Sequence, residues 1–114
     1  MQFRHFEQRR IAIEATAPTR SPEFLTAYTK LLDAYTADPT MLSSSSLSDD
    51  LTYVMNVYDN IAILCLSGLA DKDLVKQRTL GAMRTLVPIL DAMKWPPEFR
   101  KNFDTLLNDL ATLG

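Results

Sequence analysis

His5 and Cys65 are the single imidazole and the single thiol in the 114-residue chain. A histidine general base would have to be His5, and a thiolate nucleophile would have to be Cys65. His5 has no Ser or Cys beside it and reads as a surface histidine. Cys65 falls in the apolar run Ile61 to Leu66, on the stripe of a helix. A reactive thiolate needs a partly exposed, electropositive setting. The nearest basic residues that follow, Lys72 and Lys76, lie beyond a turn, so Cys65 reads as a reduced core thiol. One His and one Cys exclude a Cys/His zinc site and an internal disulfide. The acidic pairs Asp49/Asp50 and Asp71/Asp73 stand at helix starts, where carboxylates complement the helix dipole. No spaced acidic loop of the calcium-binding type occurs, and three glycines leave no phosphate-cradling loop. No metal and no cofactor is therefore expected.

A second group of polar residues sits on a helix that is otherwise apolar. Asn56, Asp59 and Asn60 form a narrow polar strip there. A partly covered Asp59 needs a hydrogen-bonding or charged partner, because an unpaired buried charge is expensive. Arg78 or Arg84 on the following helix is the expected partner, making a structural network of Asn56, Asp59, Asn60, Arg78 and Arg84. Large apolar residues beyond what one helical layer needs, Tyr53, Val57, Leu64 and Trp95, read as a contact surface for another protein or for a second copy. The alternative is that the N-terminal segment covers that surface. The run Ser43 to Ser46 reads as a solvated linker.

Charge narrows the partners. Lys plus Arg is 12 and Asp plus Glu is 14, a net charge of -2. Nucleic-acid binding through phosphate neutralisation is not expected of such a chain. Arg4, Arg9, Arg10 and Arg20 make the first 20 residues locally basic, too sparsely to select a partner. No secretory leader is legible at the start, and no apolar run nears the ~20 residues that span a bilayer. A cytoplasmic location is expected.

The elements that must hold these residues are helices. The length fits one domain, and 46% apolar with 23% charged residues is ordinary globular composition. Ser21-Pro22-Glu23 predicts a helix start: a capping hydroxyl, a proline where no N–H is needed, and an acid at the positive end of the dipole. Phe24, Leu25, Tyr28, Leu31, Leu32 and Tyr35 follow at helical spacing, and Pro39 ends the run. Residues 40–47 read as a loop. The second helix is expected to start near Ser48, carrying Leu51, Val54, Met55, Tyr58, Ile61, Ala62 and Cys65, and to close at Gly68 with Leu69 folding back toward Leu64. Asp71 is placed to cap the third, which carries Pro88 and a kink between Arg84 and Val87. Trp95-Pro96-Pro97 breaks the chain before a last helix with Phe99, Phe103, Leu106, Leu107 and Leu110 on one face. In the first 20 residues Phe3, Phe6 and Ile13 share a helical face, with Arg9 and Arg10 outside. The expected fold is all-α: a four-helix bundle over residues 21–114, an arm or short helix over residues 1–20, and a central antiparallel hairpin from Ser48 to Met93.

Two stretches resemble an uncharacterised family of short helical proteins and domains. Arg9-Arg10-Ile11-Ala12-Ile13-Glu14, leading into Ser21-Pro22-Glu23-Phe24-Leu25, is similar to its helix entry. Asn56-Val57-Tyr58-Asp59-Asn60-Ile61-Ala62, followed by Gly68-Leu69-Ala70-Asp71-Lys72-Asp73-Leu74-Val75, is similar to its central hairpin. The chain departs from that pattern in carrying Asp59 where a Glu is usual and in lacking a Trp in the next helix. Many members carry an N-terminal membrane helix, which residues 1–20 do not resemble. The resemblance implies the helical fold and no catalytic or binding residue. The function expected from all this is a non-enzymatic interaction module, an adaptor or an occluding inhibitor such as phages and mobile elements encode. The competing expectation is a ligand-binding or enzymatic bundle with a polar site of Asn56, Asp59 and an arginine.

Overall fold

Caps and breakers divide the chain into five α-helices. The computed structural model describes residues 2–113, with α1 at Gln2–Thr16, α2 at Pro22–Ala37, α3 at Ser45–Leu66, α4 at Lys72–Ala92 and α5 at Pro97–Thr112. A 3₁₀ turn, Ala17–Arg20, joins α1 to α2. No strand occurs among the described residues.

The expected signals act locally. Ser21 Oγ accepts the Phe24 N–H at 3.2 Å to start α2, and α2 stops at Ala37, just before Asp38-Pro39. Asp71 Oδ1 accepts the Asp73 and Leu74 N–H groups at 3.0 and 3.4 Å to start α4. Gly68 closes α3 at φ 77°. Its N–H bonds the Cys65 carbonyl at 3.1 Å, and the Leu69 N–H bonds the Leu64 carbonyl at 3.0 Å. This paired closure uses carbonyls that the helix end leaves free.

The start of α3 differs from expectation. Ser44 caps it, its Oγ accepting the Leu47 N–H at 3.2 Å, so the helix takes in residues assigned to the loop. Four consecutive serines offer several equivalent caps. The earlier one gains three further residues of helix and brings the partly buried Leu47 against the core.

The same closure as at Gly68 ends α4, but on a lysine. Lys94 has φ 55°, its N–H bonds the Asp91 carbonyl at 3.2 Å, and the Trp95 N–H bonds the Leu90 carbonyl at 3.0 Å. A left-handed backbone costs a residue with a Cβ roughly 1–2 kcal/mol and glycine almost nothing. Replacing Lys94 by Gly is therefore expected to raise stability by about 0.5–1 kcal/mol. A higher denaturant midpoint at unchanged slope checks this, and a lowered midpoint contradicts it.

Helix directions follow from side chains that meet. Arg100 at the start of α5 reaches Asp91 near the end of α4 at 2.9 Å. Lys72 at the start of α4 reaches Asp109 near the end of α5, also at 2.9 Å. Hence α4 and α5 are antiparallel. Tyr58 of α3 meets Phe103 of α5, while Asp59 meets Asn102. Thr52 shares a cleft with Phe99, so α3 and α5 run parallel.

It follows that α3 and α4 are antiparallel, as expected of the central hairpin. They are nevertheless not a close-packed pair: α1 and α5 each pack against both of them, and α2 packs chiefly on α3. The turn between α3 and α4 is occupied by α1. Gln8 Nε2 donates to the Gly68 carbonyl at 2.9 Å, and the Asp71 N–H donates to the Gln8 carbonyl at 3.0 Å.

The face of α1 is also reversed from expectation. Ala12, Ala15 and Thr16 are buried, whereas Phe6 is 79% exposed and Ile13 45%. The Phe3 side chain lies outside what is described. Small residues let α1 seat against two helices at once, because interaxial distance is set by the side chains at the contact. Thr16 satisfies its hydroxyl on the Ala12 carbonyl at 2.7 Å. In the last helix, Phe103, Leu106 and Leu110 are buried as expected, but Phe99 is 64% exposed. No helix among the described residues is long and apolar enough to cross a membrane.

Candidate functional site: the cleft between α3 and α5

Parallel packing of α3 on α5, and the Trp95-Pro96-Pro97 corner that starts α5, leave a cleft of about 430 Å³. Asn56 and Asp59 line it from α3, Glu98, Phe99 and Asn102 from α5, and Trp95 from the corner, with Thr52 and Met55 completing the lining. Asn56 and Asp59 are three apart and so share one side of α3. Glu98 and Asn102 are four apart and share one side of α5. Asn102 Nδ2 donates to Asp59 Oδ1 at 3.1 Å across the cleft.

Trp95 is held from both directions. Its N–H closes α4 on Leu90, and Pro96 follows at φ -58° and ψ 137°, an extended conformation that directs the chain away. The ring packs partly against the core. Its Nε1–H is buried with no acceptor among the described residues. Phe99, in the first turn of α5, is 64% exposed and lines the same cleft.

The predicted network forms in part and with a different partner. Asp59 is bonded by Asn102 of α5. Arg78 and Arg84 of α4 make no hydrogen bond or ion pair with it among the described residues, and Asn60 is exposed outside the cleft. The reason is packing order: α5, not α4, is the close neighbour of α3. Asn102 carried a legible signal, a polar residue interrupting the stripe Phe99, Phe103, Leu106. Which helix it would face was not local information.

The predicted contact residues divide as well. Val57 and Leu64 pack against the core. Tyr53 is 39% exposed and faces a shallower hollow with Pro22, Glu23 and Asp50. There Lys30 Nζ stands 3.8 Å from Asp50 Oδ2, too far for a hydrogen bond. Only Trp95 reaches the α3/α5 cleft. Cys65 is fully buried, and burial pushes its thiol up to about 11, with nearby Lys72 opposing and Asp109 and Asp71 adding to the rise. Burial thus disfavours the thiolate form that a cysteine nucleophile needs. His5 is exposed on α1.

Compared with family models, with curated proteins and with solved structures, the chain matches none.

Proposed function

We propose that the chain is a non-enzymatic protein-interaction module that receives a segment of a partner protein in the α3/α5 cleft. The observation that carries this is Phe99. A ring left 64% exposed beside the half-buried, backbone-anchored Trp95, at the mouth of a cleft, is what a partner would desolvate. Aromatic anchors in such hollows dominate the binding energy of protein contacts. Ile63 and Leu66, 50% and 38% exposed, continue the open side of α3 beyond Asn56 and Asp59 and widen the apolar contact. Reading α1, the 3₁₀ turn and α2 as one broken column gives a four-column bundle. It leaves this side uncovered, since α1 and α2 lie on other sides of α3. A lone core thiol suits a reducing compartment such as the cytoplasm.

The test is comparative capture from native lysate with the wild-type chain and with Phe99→Asp, both verified as folded by circular dichroism. A partner enriched on the wild type and lost from the variant supports the reading. Identical sets of captured proteins on the two baits contradict it.

A further inference from the structure

The residues of this cleft also define the partner's chemistry, an inference that rests on the interaction reading above. Two carboxylates, Asp59 and Glu98, face it, and no Lys or Arg lines it among the described residues. Three carboxylates of α4 and α5 are paired within the chain: Asp91 and Asp104 hold Arg100, and Asp109 holds Lys72. Asp59 has only the neutral amide of Asn102 on one oxygen, and Glu98 has no ion-pair partner among the described residues. Arg100, the basic residue nearest in sequence to Glu98 and Phe99, is already engaged by its own two acids and is withdrawn from competition. Trp95 and Phe99 line the same cleft.

Negative charge next to aromatic faces, in a partly desolvated hollow, selects a cation that is also flat. A guanidinium stacks on rings and donates a fork of N–H groups to carboxylate and amide oxygens. An ammonium has the charge without the plane. We infer that the cleft takes an arginine side chain presented by the partner protein. Its guanidinium lies against Trp95 and Phe99 and is held by Asp59 and Glu98.

Trp95 is the single tryptophan of the chain, so its fluorescence reports on the cleft alone. The probes are a short capped peptide with one central arginine among Gly and Ser, the same peptide with citrulline, and free arginine. Citrulline keeps the shape and loses the charge. The expected result is a saturable change in Trp95 emission with the arginine peptide and binding about tenfold weaker with citrulline, as the loss of charge-assisted hydrogen bonds implies. A similar loss is expected for the arginine peptide on Glu98→Gln and on Asp59→Asn, with helical content unchanged. Free arginine, whose own carboxylate meets Glu98, binds more weakly than the peptide.

Equal binding of the arginine and citrulline peptides, or no saturable response to either, overturns the inference. Tighter binding of free arginine than of the peptide overturns it too, in favour of a small-molecule site. If any of these occurs while capture still depends on Phe99, the arginine assignment falls and the interaction module stands. If capture is also indifferent to Phe99, both fall.

Discussion

Replacing Tyr58 by Ala is expected to lower unfolding stability by about 3–5 kcal/mol, the range for emptying a large aromatic site in a core. Set against the roughly 5–15 kcal/mol that holds a domain of ordinary size, this is a third of the margin or more in most cases. The size of the loss follows from where the ring stands. Tyr58 is fully buried on α3. It meets Phe24 of α2 edge-on, with centroids 5.7 Å apart at 80°, and Phe103 of α5 at 5.6 Å and 73°. Both are favourable orientations of ring quadrupoles. One side chain thus ties three helices, and its removal leaves a void at their junction that fixed backbones cannot close. Phe at the same position keeps the ring and both edge contacts. The hydroxyl it omits makes no hydrogen bond among the described residues, and burial, with Tyr28 adding to the rise, drives the phenol's pKa upward. Tyr58→Phe should therefore cost less than about 1 kcal/mol. Denaturant unfolding of the pair checks both numbers. A Phe variant as unstable as the Ala variant would show that the hydroxyl, not the ring, holds the junction.

The second large effect comes from adding volume. Ala12→Leu is expected to destabilise by about 1–3 kcal/mol, because its methyl is fully buried where α1 seats against α3 and α4 and the added carbons have nowhere to go. Phe6→Ala on the opposite side of the same helix should change stability by no more than about 0.5 kcal/mol. Hydropathy ranks these two residues the other way, so the pair tests the orientation of α1 directly. A neutral Ala12→Leu with a costly Phe6→Ala would turn the helix around.

That pair also shows where the sequence is readable and where it is not. Ser21, Asp71 and Gly68 announce helix ends because their action spans three to five residues, and each acts as its type predicts. The stripes of α2, α3 and α5 are largely legible because a thick core on one side requires large residues at helical spacing, but Leu25 of the expected α2 face is 49% exposed. The rule fails for α1. Where a helix is wedged against two others, the space admits Ala and Thr, and the bulky residues are left for the outside. It fails again at Phe99, which keeps the spacing of the buried stripe but occupies the first turn, beside the open cleft. Asp59 was recognisable as a residue in need of a partner. Naming Asn102, 43 positions away, required knowing that α5 rather than α4 would lie beside it. The cleft itself is made by the Trp95-Pro96-Pro97 corner and by the parallel course of α3 and α5. No local pattern specifies that relation.

The clasp between Gln8 and the turn at Gly68 sets an order of events during synthesis. These two positions are 60 residues apart. At roughly 5–20 residues per second, translation separates them by about 3–12 s. For that interval the first helix has emerged and its docking turn does not yet exist. A lone helix of 15 residues is marginal in water, and this one carries little apolar surface on the side it will bury. Its final placement is therefore a late step of maturation, completed only when the nascent chain has lengthened enough to offer the carbonyl and the amide it is waiting for.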